Sequence, residues 1–146
     1  LANPKTDDNV KSDAQIIIAR SAIQTGDETK ARTAYAKLQT IAQGELAAEA
    51  LYYDAYFKNK DEKFEASNAV VQKLAKNYSS YKYFGAKGLV LMAKNFYGLK
   101  DSFQATYILD SVIKNFTDFP DVVSEAQTEL DRIKNEESKT NSSITN

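Results

Sequence analysis

Apolar residues recur at intervals of three and four positions along most of the chain. The run formed by Leu89, Met92, Ala93 and Phe96 is the clearest case. This spacing places the side chains on one face of an α-helix, whose period is about 3.6 residues. Glycine and proline are scarce, with five and two residues, which argues against a turn-rich β protein. The pattern therefore predicts an all-α protein.

Short polar segments divide this pattern into seven predicted helices. A helix end is followed directly by an aspartate at Gly26-Asp27, Lys60-Asp61 and Lys100-Asp101. Aspartate caps a following helix because its carboxylate accepts hydrogen bonds from the free N–H groups of the first turn. The predicted helices span residues 13–25, 28–42, 45–59, 62–78, 82–99, 102–116 and 121–136.

The two ends of the chain differ in composition from the middle. Residues 1–11 are rich in Asn, Asp and Lys, and residues 137–146 consist mostly of Ser, Thr, Asn and charged residues. Neither segment can bury enough apolar surface to offset the conformational entropy that ordering removes. We therefore expect one folded domain over residues 12–136, with disordered tails at 1–11 and 137–146, and the length of the chain suits one domain.

The three aspartate-capped turns recur at intervals of 34 and then 40 residues. Self-similarity at such a period is typical of stacked helical hairpins. The first predicted helix of each hairpin carries a small residue, Ala19, Ala55 or Ala93, with large apolar residues beside it. Small residues let two antiparallel helices approach closely. The sequence therefore predicts three helical hairpins followed by a seventh helix.

These hairpins resemble the tetratricopeptide repeat (TPR), whose pattern combines large, small and aromatic residues with two Ala positions and a terminal Pro. The third hairpin matches with Leu89, Met92, Ala93, Phe96, Ala105, Leu109, Val112 and, displaced by three, Pro120; the first matches with Ile18, Ala19, Ala22, Ala31, Tyr35 and Leu38, and the second with Leu51, Ala55, Ser67, Val71 and Leu74. The resemblance covers about residues 12–136. It implies a right-handed α-solenoid of three TPR-like hairpins plus a C-terminal capping helix. It also implies a non-catalytic scaffold that binds a peptide or partner protein in a concave groove.

Three segments in the second half of the chain carry a narrower resemblance. Residues 75–87, 97–105 and 113–116 are similar to the C-terminal part of long TPR proteins of Bacteroidetes-type bacteria. Those proteins are similar to periplasmic repeat proteins of outer-membrane assembly and of the Tol–Pal system. The resemblance implies a segment of a larger bacterial cell-envelope protein, in the periplasm or associated with the outer membrane. The absence of cysteine fits a cytoplasmic location equally well.

In TPR proteins the first helix of each hairpin lines the groove, so the resemblance assigns groove residues by their distance from Ala19, Ala55 and Ala93. The candidate partner-binding residues are Arg20, Glu49, Tyr52, Tyr56, Asn59, Lys87, Lys94 and Tyr97. Tyrosine suits such a surface because it offers a large contact area, few rotatable bonds and a polar tip. The alternative is that these tyrosines simply pack between neighbouring hairpins.

Three consecutive isoleucines, Ile16, Ile17 and Ile18, lie on the first predicted helix. One helix cannot bury three successive side chains by itself, so the run predicts an exposed apolar packing edge. A second functional hypothesis follows, in which the chain is a purely structural cap of a longer repeat array with no partner of its own. The same edge predicts a homodimer of the isolated chain.

Histidine and cysteine are absent, which removes the commonest general base, the commonest metal ligand and the thiol nucleophile. A third hypothesis, a small helical enzyme or metal-binding bundle, requires a buried cluster of Asp, Glu and Lys side chains. The acidic pairs Asp7-Asp8 and Asp61-Glu62 are adjacent in sequence, so their carboxylates do not face each other on a helix. We therefore expect no catalytic residue, no metal site and no cofactor.

The net charge is −1, from 19 basic and 20 acidic residues. This balance lacks the basic stripe that binds nucleic acid and the polybasic segment that binds a membrane surface. No apolar run approaches the length of roughly 18 residues that a membrane-spanning helix needs. The expected partner is therefore a protein or a peptide.

Overall fold

The computed structural model describes residues 4–145, which form seven α-helices joined by short turns. The helices are α1 (Pro4–Thr25), α2 (Glu28–Ile41), α3 (Gly44–Lys60), α4 (Phe64–Asn77), α5 (Lys82–Gly98), α6 (Ser102–Asn115) and α7 (Pro120–Thr145). The prediction of an all-α protein is confirmed. The ends of α2 to α6 lie within two residues of the predicted ones.

The first and last helices are longer than predicted. Helix α1 begins at Pro4 and α7 continues to Thr145, so the segments 4–11 and 137–145 are helical where we expected disordered tails. Residues 1–3 and 146 lie outside the described residues. The expectation treated each tail as an isolated chain, whereas a helix that is already packed extends by one hydrogen bond per added residue. An ion pair between Lys11 Nζ and Asp7, 3.1 Å long and one turn apart, adds to the extension of α1.

The same backbone turn joins the two helices of each hairpin. Gly26, Glu62 and Lys100 occupy the left-handed region with φ of 76°, 60° and 65°. The N–H of the next residue then donates to a carbonyl five residues earlier, as from Asp27 to Ala22 at 2.9 Å. This is the hydrogen bond of a Schellman motif, which ends a helix. The three hairpins, α1–α2, α3–α4 and α5–α6, therefore share one register.

Small residues lie where the two helices of each hairpin cross. Ala19, Ala55 and Ala93 stand seven residues before the left-handed turn residue of their hairpins, and all three are fully buried. The facing position in the second helix holds Ala31, Ser67 or Ala105, all fully buried too. Side chains of this size allow the two helix backbones to approach closely. The register that the alanines predicted is confirmed.

Successive helices pack against each other along the whole chain. The first helices also form a row, in which α3 packs directly on α5 and α5 on α7, whereas the backbones of α1 and α3 approach each other much less. Three apolar clusters fill the interior, one around α1 and α2, one around α3 and α4, and one around α5, α6 and α7. The first helices are therefore in direct contact from α3 to α7, which we call the closed part of the row. The backbones of α1 and α3 stand farther apart, and we call this the open part.

Candidate functional site

A cleft of about 270 Å³ lies at the open part of the row, between α1, α3 and α5. We call it the tyrosine cleft. It is lined by Arg20, Ile23, Gln24, Tyr35, Glu49, Tyr53, Tyr83, Phe84 and Lys87. Three of the eight groove residues predicted from the sequence, Arg20, Glu49 and Lys87, therefore belong to this cleft.

Glu49 is the buried charge of the tyrosine cleft, with only 4% of its surface exposed. Arg20 of α1 donates to it twice, from Nε at 3.1 Å and from Nη2 at 2.7 Å. The Tyr35 hydroxyl of α2 donates a third hydrogen bond at 2.8 Å. A buried carboxylate needs such partners because desolvation is costly for a charge. Glu49 thus ties α3 to both helices of the first hairpin, and its bond to Arg20 raises the pKa of that guanidinium.

One wall of the tyrosine cleft is built from stacked tyrosines. The rings of Tyr35 and Tyr53 lie 4.2 Å apart and nearly parallel, and Tyr53 meets Tyr56 edge to face at 5.5 Å. Burial raises the pKa of both Tyr35 and Tyr53. Both phenols are therefore neutral at physiological pH, and the wall is a rigid surface of apolar rings with polar edges.

Lys87 of α5 provides a cation on the opposite side of the tyrosine cleft. Its Nζ lies 4.9 Å from the Tyr52 ring centre and 5.7 Å from that of Tyr83. The faces of aromatic rings attract an ammonium group at such distances. The hydrogen bond from Tyr83 lowers the pKa of Asp121 on α7, and the charge of Lys87 also helps to lower it. Within the described residues this ammonium group is therefore held by two aromatic rings and acts on one carboxyl group.

The other predicted groove residues pair with neighbours in the same chain. Tyr52 is buried, and Tyr56 lies under the ammonium group of Lys60 at 5.4 Å. The remaining pairs are Asn59 with Asn95, Lys94 with Glu125 and Tyr97 with Glu136. The last three pairs join neighbouring first helices or α7, whereas Tyr56 and Lys60 both lie on α3.

A polar network that the sequence did not predict closes the seam between α3 and α5. Asn95 is completely buried, with 0% of its surface exposed. Its Nδ2 donates to Ser67 Oγ and to Asn68 Oδ1, both at 2.8 Å, and its Oδ1 accepts from Asn59 at 2.8 Å. Nothing in the local sequence distinguishes Asn95 from a surface asparagine, because its partners come from two other helices.

The groove residues assigned from the sequence did not include Tyr53, Tyr83 or Phe84, which also line the tyrosine cleft. Tyr53 stands next to Tyr52, which was assigned to the groove, so a rule based on one position per turn passes over it. The aromatic pairs Tyr52-Tyr53 and Tyr83-Phe84 are the signal that could have identified them. The Tyr83 hydroxyl donates to Asp121 of α7 at 2.6 Å, and this hydrogen bond raises the pKa of Tyr83 to about 12.

The three isoleucines of α1 have different environments. Ile16 is buried among the alanines of the first hairpin, whereas Ile17 and Ile18 are exposed. The prediction of an exposed edge is therefore wrong for Ile16, because every helix of a hairpin must turn one face toward its partner. The edge that remains is formed by Ile17 and Ile18.

The tyrosine cleft is a concave surface lined by aromatic rings and hydrogen-bonding groups. Within the described residues there is no group of three or more acidic side chains that could hold a metal ion, and no helix there is long and apolar enough to cross a membrane. No protein-family model matches the sequence, and no curated protein matches it either.

Proposed function

We propose that this chain is a non-catalytic protein–protein interaction module that binds a peptide or a partner segment in the tyrosine cleft. The observation that carries the proposal is an accessible aromatic surface, formed by Tyr53 and Tyr83, with the cations of Arg20 and Lys87 beside it. Tyrosine and arginine are enriched among the residues that dominate binding energy at protein interfaces. The stacked rings lose little conformational freedom when a ligand covers them, which favours affinity.

We further propose that the three hairpins form a right-handed α-solenoid of the TPR type, with α7 as its capping helix. Three observations support this architecture: the repeated left-handed turns, the common register of Ala19, Ala55 and Ala93, and the direct packing of α3 on α5 and of α5 on α7. In such solenoids neighbouring repeats create an extended concave surface. The resemblance of residues 75–87, 97–105 and 113–116 supports a place in a larger bacterial cell-envelope protein, in the periplasm or at the outer membrane.

The residues that line the tyrosine cleft indicate which groups of a ligand it would bind. An apolar or aromatic side chain of the ligand packs against the neutral Tyr35–Tyr53 stack, in which Tyr53 is the half-buried and accessible ring. A carbonyl or carboxylate oxygen of the ligand binds the ammonium group of Lys87. The carboxylate of Glu49 is already saturated by Arg20 and Tyr35, so it positions the walls instead of contacting the ligand.

Selection from a random peptide library tests this function. Peptides that bind the wild-type chain are measured again with Lys87→Glu, and we expect the affinity to fall at least about tenfold, because the substitution replaces an attractive charge by a repulsive one. Lys73→Glu on the exposed face of α4 is the matched control and should bind normally. Peptides that bind Lys87→Glu as tightly as they bind the wild type and Lys73→Glu would contradict a role for the tyrosine cleft.

A second candidate function, the structural cap of a longer repeat array, rests on a different surface. Val10, Ala14, Ile17 and Ser21 form one exposed face of α1, which we call the α1 stripe. The equivalent residues of α3 (Leu46, Ala50, Tyr53, Phe57) and of α5 (Phe84, Gly88, Leu91, Asn95) are buried or half-buried against the preceding hairpin. The α1 stripe is therefore suited to lie against a preceding helix. If this is the main function, the library selects binders that Ile17→Glu abolishes and Lys87→Glu leaves unchanged.

A further inference from the structure

A small pocket opens at the end of the second and third hairpins that lies opposite their left-handed turns, where α4 and α6 end and α5 begins. We call it the Gly85 pocket, and its volume is about 170 Å³. Ala75 and Tyr78 line it at the end of α4, Leu89 lines it on α5 and Phe116 lines it at the end of α6. Most of its wall is therefore apolar.

Gly85 is the glycine of α5 that packing inside the chain does not explain. Helix α5 contains three glycines. A Cβ added to Gly88 would lie 3.3 Å from side chains of α4, and one added to Gly98 would lie 2.6 Å from another side chain of α4. No atom lies within 4 Å of a Cβ added to Gly85. Glycine destabilises a helix interior relative to alanine, so folding does not account for a glycine at this open position.

The second hairpin shows that the fold does not require this pocket. Helices α3 and α5 both have 17 residues and can be compared position by position. The fourth position holds Ala47 in α3 and Gly85 in α5, and the eighth holds Leu51 and Leu89. Ala47 and Leu51 are buried by the chain itself, whereas Gly85 and Leu89 are only half-buried. The Gly85 pocket is therefore a local feature of the third hairpin.

The two aromatic residues of the pocket are fixed by the ends of their helices. Tyr78 follows α4 with φ −131° and ψ 38°, and Phe116 follows α6 with nearly the same values, −120° and 39°. The N–H of each donates to the carbonyl four residues earlier at 3.0 Å. Aromatic rings pack favourably against another ring. A cavity of about 150 Å³ in another protein holds one benzene molecule, so the pocket has the size and the walls for a single phenyl ring.

Lys82, the first residue of α5, adds a positive charge to the pocket. Acidic side chains stabilise the start of a helix, and the first turns of α2, α3, α4 and α7 each contain one. The first turn of α5 contains none, and Lys82 stands there instead, with its side chain exposed. None of the described residues that line the pocket is acidic. The wall of the pocket therefore leaves this charge without a neutralising partner.

We propose that the Gly85 pocket is a second docking site, which binds a phenylalanine side chain of a partner protein that carries an acidic residue beside it. The ring fills the space that Gly85 leaves open and packs against Tyr78 and Phe116. The adjacent carboxylate of the partner pairs with Lys82, because opposite charges at an interface select the partner and its orientation.

This docking site is separate from the tyrosine cleft. Gly85 stands two positions before Lys87 of the cleft, which is roughly 200° around the helix axis. The two sites therefore lie on different faces of α5 and can be occupied independently. The proposal for the Gly85 pocket does not rest on the function proposed for the tyrosine cleft.

NMR titration of the complete chain tests the proposal with the capped tripeptide acetyl-Glu-Phe-Glu-amide. The titration extends to about 10 mM, because contact through one side chain supports only millimolar affinity. The amide signals of Tyr78, Gly85 and Phe116 should shift and saturate, whereas those of Gln24 and Tyr53 in the tyrosine cleft should not. Replacing the phenylalanine of the peptide by alanine should weaken binding at least about tenfold. Replacing both glutamates by glutamine should weaken it about two- to fivefold.

Variants of the pocket separate binding from folding. Gly85→Leu fills the pocket and should weaken binding at least about tenfold. Its melting temperature should equal or exceed that of the wild type, because leucine favours a helix more than glycine does. Gly85→Ala fills less of the space and should weaken binding to a smaller degree. Lys82→Gln should bind the acidic and the glutamine peptide equally well. Lys73→Gln, on another side of α4, is the control and should bind like the wild type.

Three results would overturn the proposal. The first is the absence of saturable shifts at Tyr78, Gly85 and Phe116 up to about 10 mM peptide. The second is binding by Gly85→Leu or by the alanine peptide that is as tight as that of the wild type with the original peptide. The third is an unchanged preference of Lys82→Gln for the acidic peptide over the glutamine peptide, which would contradict an acidic partner.

Discussion

Different polar groups join the first helices at two seams. One seam lies between α3 and α5, and the other lies between α1 and α3. At the first seam Asn95 is fully buried and its hydrogen bonds go to neutral side chains. At the second seam Arg20 and Glu49 form an ion pair in which the guanidinium side chain remains 56% exposed. Neutral amides can be enclosed when all their hydrogen bonds are made, whereas an ion pair loses much of its benefit when water is excluded.

The comparison explains why the tyrosine cleft lies where it does. The neutral network allows α3 and α5 to pack directly. The ion pair holds α1 and α3 together through long side chains, so the backbones stay apart and the rings of Tyr53 and Tyr83 remain accessible. The closed seam, between α3 and α5, holds the hairpins in register, and the open seam, between α1 and α3, is the surface that we propose binds a partner.

The largest expected effect follows from disrupting the hydrogen-bond network at the closed seam, between α3 and α5. Asn95→Ala leaves the buried amide of Asn68 and the half-buried amide of Asn59 without their partner and creates a small void. We expect the free energy of unfolding to fall by about 3 kcal/mol, measured by urea denaturation. Asn77→Ala at the exposed end of α4 is the control and should change it by less than about 0.5 kcal/mol. A cost as small as that of the control would mean that the network does not hold the seam.

Removing the ion pair at the open seam, between α1 and α3, should reduce the free energy of unfolding by a smaller amount. Arg20→Ala removes two of the three hydrogen bonds of the buried Glu49 carboxylate, and we expect a loss of about 2 kcal/mol in the free energy of unfolding. A double-mutant cycle checks the cause. Combining Arg20→Ala with Glu49→Gln should cost less than the sum of the two single changes, because the unpaired charge is then absent. Strict additivity of the two costs would argue against the ion pair as the link.

High pH should distinguish the two seams, because tyrosines titrate and amides do not. Burial, with the hydrogen bond to Glu49, raises the pKa of Tyr35 above the usual value of 10.0. A phenol whose pKa is higher in the folded state stabilises the fold fully below its unfolded pKa, and this contribution is lost as pH rises above about 10. Urea denaturation at pH 8 and at pH 11 should therefore show a smaller drop for Tyr35→Phe than for the wild type. Equal drops would indicate that other groups carry the alkaline dependence.

The smallest effects are expected at the left-handed turns, which are alike in all three hairpins. Glu62 and Lys100 adopt positive φ without being glycine, so Lys100→Gly should stabilise the protein by about 0.5–1 kcal/mol. Gly26→Ala should destabilise it by about 1 kcal/mol, although no atom lies within 4 Å of the added Cβ. Thermal unfolding measures both changes. A change of the same sign in the two variants would contradict a common left-handed turn.

Local sequence rules predicted the helices well because their determinants are local. Asp27 and Asp101 cap their helices as predicted, by accepting from the N–H of Lys30 and Gln104. The cap predicted at Asp61 is wrong, because this residue ends α3 and Lys63 precedes α4. The tails were mispredicted because the extension of a helix depends on what the adjacent turns pack against. That information is tertiary and lies outside a local window of sequence.

The candidate site was predictable only in part. The resemblance to TPR hairpins assigned Arg20, Glu49 and Lys87 to the groove, but it could not tell which helix faces a neighbouring helix would cover. Tyr52 is buried and Tyr53 lines the cleft, although the two residues are adjacent and chemically identical. Asn95 was missed for the same reason, since its role depends on Ser67 and Asn68 of another helix.

The central claim, that the open seam is the binding surface, is tested most directly by NMR. Amide chemical shifts of the complete chain are compared with and without a peptide selected for binding. The account predicts that the largest changes cluster at Gln24, Tyr53 and Lys87, and that they disappear with Lys87→Glu. Changes confined to the α1 stripe, with the tyrosine cleft unaffected, would contradict it.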